Sequence, residues 1–507
     1  MNKAYLDLIN TSKVYDICEE TPLQHAPALS LRINNNVWLK REDLQPVFSF
    51  KLRGAYNKIA HLTAAEKACG VLCASAGNHA QGVAMSAKAL QLEAVIVMPT
   101  TTPEIKVKAV ASYGAKVILA GDSYSDAHAH AMLLCEQTGM SFIHPYDDPL
   151  VIAGQATIAV EMMRQTPHDF DALFVPVGGG GLIAGIACYI KAVSPKTKII
   201  GVEPYDAAAM HDSMLAGKRV QLEQVGIFAD GVAVKQVGKR TFDLVQAYVD
   251  TIILVDTDEI CAAIKDIYDE KRVIVEPAGA LSVAGMKKYV AAQACENKIL
   301  ACICSGANMN FDRLRHVAER AEIGERREAL FAVTIPEKAG SFLDFCGSLG
   351  ARAITEFNYR LSTRKEAHVF VGIKITGNKD VKTITETLVK KDYNVLSLMD
   401  NELAKLHIRH MVGGQCQIAQ SERLYRFEFP ERPSALLDFL EKLAGRWNIS
   451  LFHYRNHGAA YGRVLVGFEV PNAGMAEFSD YLNHLNYAHT EESNNPALAL
   501  FLSPTEH

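Results

Sequence analysis

Ala172-Leu173-Phe174-Val175-Pro176-Val177-Gly178-Gly179-Gly180-Gly181-Leu182 opens an uncharged run of 19 residues that ends at Ile190. A run of that length can cross a bilayer as one helix. Pro176 and four consecutive glycines in its middle break any such helix, and the run reads instead as a buried strand, a tight loop and a buried helix. Four more short apolar runs, Val71 to Cys73, Ala94 to Met98, Lys116 to Leu119 and Ile199 to Val202, read as buried strands. Helices with legible ends lie between them. Thr63-Ala64-Ala65-Glu66 fits a capping box, and Thr102-Pro103-Glu104 sets an N-cap, a first-turn proline and an acid in sequence. Strands separated by helices of this length predict a parallel sheet, because a parallel return needs a crossover. Ligands in such folds gather at the carboxyl ends of the strands.

The chain has 507 residues, more than one core can serve, and about three domains are expected. Hydrophobic residues make up 49% and charged residues 21%, as in an ordinary globular protein. A formal charge of -5 and the lack of a basic run give no case for nucleic acid or a membrane surface as partner. Eleven cysteines without regular spacing read as buried thiols in a reducing compartment. Cys302 and Cys304 lack the second pair that a zinc site needs. Met1 to Glu20 has no apolar core of a signal peptide, so a cytoplasmic location is expected.

Within Ser49-Phe50-Lys51-Leu52-Arg53-Gly54-Ala55, a lysine stands behind a phenylalanine and ahead of an expected helix. No carboxylate lies between Val47 and Tyr56. An amine with few charge partners in apolar surroundings loses its proton easily, and a neutral lysine forms a Schiff base with an aldehyde such as pyridoxal phosphate. Most lysines are solvated surface groups, so Lys51 gains weight only from two further stretches. The Gly178 to Leu182 loop, between strand and helix, can wrap a phosphate with its amide N–H groups. It also fits a dinucleotide fingerprint, with Gly179, Gly181 and Ala184 as G-x-G-x-x-A and Glu203 nineteen residues beyond Ala184. A plain tight turn is the bland alternative. Ser75-Ala76-Gly77-Asn78-His79 likewise sits between strand and helix. Its backbone donors suit a substrate carboxylate and the Asn78 amide suits a phenolic oxygen, although an unliganded N-cap would look the same. Ser305-Gly306-Ala307-Asn308 follows the apolar run Ile299 to Cys304, and its hydroxyl suits a ring nitrogen or a cap. Asp126, His128 and His130 are spaced by two on an expected helix, face different ways, and read as a solvated face and not as metal ligands.

Asp312 to Glu328 carries ten charges in seventeen residues and reads as a polar helix leading out of the catalytic unit. Beyond it the chain repeats itself. Pro336-Glu337-Lys338 and Phe342-Leu343-Asp344-Phe345 recur ninety-four residues later as Pro430-Glu431-Arg432 and Leu436-Leu437-Asp438-Phe439. Phe357-Asn358-Tyr359-Arg360 recurs as Phe452-His453-Tyr454-Arg455. Each copy reads strand, helix, strand, strand, helix, a ferredoxin-like sandwich. Val395 to Met399 closes the first copy as a strand, whereas Ala488 to Asn495 is polar and leaves the second less complete.

The order of S-F-K-x-R-G at Ser49, S-A-G-N-H-A-Q-G at Ser75, G-G-G-G-L at Gly178 and S-G-A-N at Ser305 resembles the fold-type-II pyridoxal phosphate enzymes. With two appended sandwiches the chain is similar, over nearly all residues, to the biosynthetic threonine deaminases (threonine ammonia-lyases). The resemblance implies a tryptophan synthase β-like α/β catalytic domain at 1–320. It also implies two α+β, ACT-like regulatory domains at 329–400 and 423–495. It implies that Lys51 carries pyridoxal 5'-phosphate, that Asn78 meets the 3′ oxygen, and that Gly178, Gly179, Gly180, Gly181 and Leu182 cradle the phosphate. Ser305 would face the pyridine nitrogen, and Ser75, Gly77 and His79 would hold the substrate. The implied reaction converts L-threonine to 2-oxobutanoate and ammonia, the first step of isoleucine biosynthesis, in a homotetramer. Isoleucine would inhibit and valine oppose it. A hydroxyl at the ring nitrogen has no charge to hold that nitrogen protonated, which favours elimination over transamination. Related racemases carry a second serine where this chain has Ala76, so racemisation is expected to be negligible. Gly340 and Ser434 begin helices that suit an effector carboxylate, although both copies depart from the usual D-x-P-G pattern. A broad serine/threonine dehydratase, a non-catalytic amino-acid sensor and a dinucleotide-binding oxidoreductase are the other readings.

Overall fold

In the computed structural model the chain forms two compact units, Met1–Gly324 and Glu325–His507. The structure describes all residues apart from 1, 167, 227, 351, 362, 407, 412, 414, 415, 417, 420, 431–434, 444–446, 456–460, 486 and 496–507.

The first unit has strands β1 (Leu23–His25), β2 (Asn36–Arg41), β3 (Val71–Ala74), β4 (Ala94–Met98), β5 (Lys116–Leu119), β6 (Ser141–Phe142), β7 (Ala172–Pro176), β8 (Lys198–Pro204), β9 (Thr251–Val255) and β10 (Ile299–Cys304). They form two sheets, one of six strands in the order β1-β2-β10-β7-β8-β9 and one of four in the order β5-β4-β3-β6. All neighbours run parallel except β1 against β2. β3, β4 and β7 are buried at every residue, because helices cover both faces of a parallel sheet and leave no solvent side to mark with polar residues. β5 departs from expectation: it lies at a sheet edge and its end residues are exposed. The uncharged run from Ala172 resolves into β7, the glycine loop and the helix Gly181–Val193. Among the described residues no helix is long and apolar enough to cross a membrane.

Helix starts follow local chemistry. Thr63 and Glu66 form the expected capping box, and Ser123 with Asp126 forms another, which gives Asp126 a structural task. At the helix Glu104–Ala111 the cap position is Pro103 and not Thr102; no side chain caps this end, and the Thr102 hydroxyl has no partner among the described residues. The polar stretch after Asp312 contains the helix Leu314–Gly324, while Glu328 already begins the next strand.

The second unit has β11 (Glu328–Pro336), β12 (Ile354–Arg360), β13 (Glu366–Lys374), β14 (Asn394–Ser397), β15 (Glu422–Pro430), β16 (Asn448–Arg455), β17 (Tyr461–Glu469) and β18 (His489–Glu491). The expected two sandwiches share one eight-stranded sheet, ordered β14-β11-β13-β12-β16-β17-β15-β18. Its two halves repeat about the β12–β16 pair. That seam is built from the residues that recur in sequence: Phe357 faces Tyr454 and Tyr359 faces Phe452. The Phe357 and Phe452 rings meet edge to face at 5.3 Å. The second copy does close with a strand, since His489–Glu491 pairs with β15 despite its polar, exposed side chains. An edge strand exposed to water needs no apolar pattern, which is why the sequence hid it. Glu431, Arg432, Pro433 and Ser434 lie outside the described residues.

Candidate active site

Three of the four motifs follow the carboxyl ends of parallel strands. Residues 75–77 follow β3, 177–180 follow β7 and 305–306 follow β10. The segment before Lys51 is stapled to the segment after β10: Phe50 N–H donates to the Ser305 carbonyl at 3.2 Å and Ala307 N–H to the Phe48 carbonyl at 2.9 Å.

Lys51 begins the helix Lys51–Ala60 and is half-buried. Its ammonium donates to the Pro145 carbonyl at 3.2 Å and lies 5.3 Å from the centre of the Phe50 ring. Burial pushes its pKa down to about 8, against the opposing pull of the Glu276 carboxylate. The helix is anchored two residues on by Arg53, which has no solvent exposure. Its guanidinium donates to both oxygens of Glu42, each at 2.8 Å, and to those of Glu161 at 2.5 and 3.0 Å. Lys40 also donates to Glu161 at 2.5 Å, so two buried cations face two buried anions. Gly54 packs where any Cβ would strike the Gln155 amide at 2.4 Å, and Gly82 lets its helix come close to the Lys51 backbone.

Asn78 donates through Nδ2 to Glu276 Oε1 at 2.6 Å and accepts at Oδ1 from Asn308 Nδ2, also at 2.6 Å. Both ends of the amide are thus engaged, and its second N–H remains to be offered to a ligand. Glu276 is buried; burial and the nearby Asp230 push its pKa up to about 7, although Asn78, Lys106 and Lys51 pull the other way. Ser305 is buried, and its hydroxyl donates to the Ala278 carbonyl at 3.2 Å.

Gly180 has φ +95°, where a Cβ is strained, and that Cβ would also strike Met210 Cε at 2.5 Å. The Tyr146 ring lies against Gly179, 2.2 Å from where a Cβ would stand, and Gly178 approaches the Val232 backbone. Thr241 Oγ1 donates to the Gly179 carbonyl at 2.6 Å and fixes the loop. Leu182 is buried in the first turn of the helix. The backbone N–H groups of Gly178, Gly179, Gly180, Gly181 and Leu182 have no acceptor among the described residues. Five such donors at a helix start form a receptor for an anion such as phosphate. The loop is tied to the other motifs at two points. Pro145, which accepts from Lys51, precedes the Tyr146 that covers Gly179; Gly231, beside Val232, lies 3.9 Å through its virtual Cβ from Asn78 Nδ2.

Ser75 Oγ accepts from Gly77 N–H at 3.3 Å, and a Cβ on Gly77 would meet nothing within 4 Å, so that backbone borders open space. His79 is used inside the protein: its Nε2 shares a 2.8 Å hydrogen bond with the Ile143 carbonyl, and burial lowers its pKa to about 3. Sequence reasoning assigned no role to Glu276, Asn308 or Tyr146. Glu276 did carry a signal, a lone acid before a first-turn proline in an apolar segment; Tyr146 carried none.

A family model described as pyridoxal-phosphate dependent enzyme matches residues 14–306. A model of the C-terminal regulatory domain of threonine dehydratase matches twice, at 319–408 and 414–502. The biosynthetic L-threonine dehydratase of Burkholderia multivorans is 56% identical, over 98% of this chain and 99% of its own. The chain belongs to the biosynthetic threonine dehydratase family. The Escherichia coli relative is 52% identical over 98% of this chain and 97% of its own. The solved structure of the processed form of threonine deaminase isoform 2 from Solanum lycopersicum has a TM-score of 0.62 and 51% identity. It covers 63% of this chain and 93% of that one. The fold is thus that of the fold-type-II pyridoxal phosphate enzymes, with two regulatory copies appended. The donor set fits the cofactor of that family: an amine of lowered basicity, acceptorless N–H groups for a phosphate, and a buried hydroxyl without charge.

Proposed function

We propose that this chain dehydrates and deaminates L-threonine to 2-oxobutanoate and ammonia, the entry step of isoleucine biosynthesis, with pyridoxal phosphate carried on Lys51 Nζ. The observation that carries the reading is the tie between the Lys51 amine and the glycine loop through Pro145 and Tyr146. The N–H groups from Gly178 to Leu182 hold the phosphate, the free N–H of Asn78 meets the phenolic oxygen, and the Ser305 hydroxyl meets the ring nitrogen. Bound there, the cofactor supplies an electron-withdrawing ring that stabilises the charge left when the α-proton departs.

The chain's own groups do the rest. The Ser75 hydroxyl, the Gly77 backbone that borders open space and the start of the helix Asn78–Ala89 orient the threonine carboxylate, which fixes the Cα–H bond relative to Lys51. The Lys51 amine, with its pKa near 8, takes the α-proton, since an amine that loses its proton near working pH is an effective base. The β-hydroxyl then leaves as water, and water re-enters when the amino product hydrolyses, so the net change releases ammonia. Ala76 has no proton to deliver to the opposite face, so epimerisation is negligible.

We assign catalysis to 1–320 and regulation to 329–400 and 423–495, with isoleucine inhibiting, valine opposing, a homotetrameric assembly and a cytoplasmic location. Double coverage by the regulatory-domain model supports amino-acid control. Borohydride reduction of the holoenzyme followed by peptide mapping tests the core of this reading. A single pyridoxyl adduct on the Lys51 peptide is expected; an adduct on another lysine, or none, overturns it.

A further inference from the structure

His144 lies in the segment that runs from β6 to the helix Pro149–Gln165 and passes the candidate site. β3 and β6 are parallel neighbours, with Leu72 opposite Phe142, so the Ser75 turn and the segment from His144 to Tyr146 leave the sheet side by side. The next residue, Pro145, accepts from the Lys51 ammonium at 3.2 Å, and Tyr146 covers Gly179 of the glycine loop. His144 therefore stands among three parts of the site: the turn at Ser75 and Gly77, the amine, and the phosphate cradle.

Its two ring nitrogens have different tasks. Nδ1 accepts from the Asp147 N–H at 2.8 Å and from the Tyr146 N–H at 3.2 Å. Two donors aimed at one nitrogen leave no place for a proton on it, so these bonds assign the proton to Nε2. Burial, with His128 and Lys51 adding to it, lowers the pKa to about 4 against the pull of Asp147 and Asp148. The ring is thus neutral at neutral pH, with one N–H in a fixed place.

That N–H has no acceptor among the described residues. Holding the turn needs only Nδ1, and an asparagine or aspartate oxygen makes the same kind of turn without a ring. The turn alone therefore leaves the far nitrogen without a use. Other polar groups of this wall are already committed. His79 Nε2 is engaged with the Ile143 carbonyl at 2.8 Å, and the Tyr146 hydroxyl donates to the Gln236 carbonyl at 3.2 Å.

We propose that His144 Nε2–H donates a hydrogen bond to the β-hydroxyl of threonine and holds that oxygen as it leaves. The proposal rests on the dehydratase reading and gives its leaving group a residue. In the elimination Lys51 Nζ takes the α-proton, the Cα–H pair becomes the second Cα–Cβ bond, and the Cβ–O pair departs with the oxygen. The proton held on Lys51 Nζ then completes that oxygen as water. His144 keeps its own proton, since a neutral imidazole is a poor acid, but its N–H stabilises the charge that grows on the oxygen.

Two substitutions separate the two nitrogens. His144→Asn keeps an acceptor for the turn and loses the far N–H, whereas His144→Gln carries an N–H at a reach similar to Nε2. In the His144→Asn holoenzyme L-threonine turnover is expected to fall about 10²-fold, the usual cost of removing a donor from a developing oxyanion. Turnover of β-chloro-L-alanine, whose chloride leaves without a proton or a donor, should fall less than about 3-fold. His144→Gln should recover about 10-fold of the loss on threonine. L-2-Aminobutyrate has the carboxylate and the methyl but no hydroxyl, and its binding to His144→Asn, followed by the cofactor's absorption, should match the parent. Equal losses on both substrates, weaker binding of L-2-aminobutyrate, unimpaired threonine turnover, or a His144→Gln enzyme no better than His144→Asn would each overturn the proposal and leave the dehydratase reading standing. If the parent eliminates neither L-threonine nor β-chloro-L-alanine, the dehydratase reading falls with it.

Discussion

Replacing Arg53 with methionine removes one cation from a cluster of Arg53, Lys40, Glu42 and Glu161 in which every side chain is fully buried. The guanidinium makes paired bonds to both carboxylates and adds Thr157 Oγ1 at 3.1 Å and the Glu19 carbonyl at 3.2 Å. Without it, one ammonium must balance two carboxylates in a site closed to solvent. Breaking a buried pair from one side costs about 3–5 kcal/mol, mostly for the charge left behind. The cluster joins the Lys51 helix to the helix Pro149–Gln165, so the loss is expected as local opening of that pair. Hydrogen exchange of the peptides covering 51–60 and 149–165 is expected to accelerate by roughly 10²- to 4 × 10³-fold, the same range as that energy. The effect has a pH signature. Burial alone would raise the Glu42 carboxyl, but attraction and hydrogen bonds from Arg53 hold it below the usual carboxylate range. In the parent, this group therefore stabilises the fold above the unfolded carboxylate pKa and ceases to do so as pH falls. In Arg53→Met the restraint is gone, burial raises the pKa, and protonation relieves the stranded charge. The penalty is therefore smaller at pH 5 than at pH 8. Acceleration below about 5-fold, or a penalty that grows as pH falls, would refute the reasoning.

Glu276→Gln removes the negative charge that Asn78 donates to, and cofactor retention measured by dialysis is expected to weaken about 10-fold; a change under 2-fold would count against the Glu276–Asn78 link. Gly179→Ala sets a methyl against the Tyr146 ring, and overpacking of about 1–3 kcal/mol should weaken pyridoxal phosphate binding by roughly 5- to 150-fold without loss of secondary structure by circular dichroism. Because burial lowers the Lys51 pKa to about 8, cofactor uptake by the apoprotein should rise with pH up to about 8 and level off above it; a rise continuing to pH 10 would mean an ordinary solvated lysine. Ser305→Asp would hold the ring nitrogen protonated, and elimination should fall relative to transamination in product analysis; an unaltered elimination rate would contradict the role given to the hydroxyl.

Much of the fold was legible because β3, β4, β7 and β10 are continuous apolar runs bounded by turn residues, a pattern that only a doubly covered parallel strand requires. The division into two sheets was not, since strand order depends on which crossover packs where and leaves no mark on any single strand. β18 was missed for a related reason: an exposed edge strand is held by backbone bonds to β15, and backbone bonds are blind to side chains. The role given to Thr102 failed because the following proline took the cap position itself.

The motif residues themselves were written in the sequence. A lone lysine among apolar neighbours, a run of four glycines and short polar turns after strands are dictated by local chemistry, and they remain so wherever the chain goes. Only the tertiary structure supplied their partners. Glu276 reaches Asn78 across 198 residues, Pro145 reaches Lys51 across 94, and Glu161 reaches Arg53 across 108. Such pairs form because the sheets bring the carboxyl ends of distant strands together, and the shift of the Lys51 pKa comes from the burial that this assembly produces. Covalent neighbours fix what a residue can do; the packing of remote segments fixes its charge, its orientation and what it can reach.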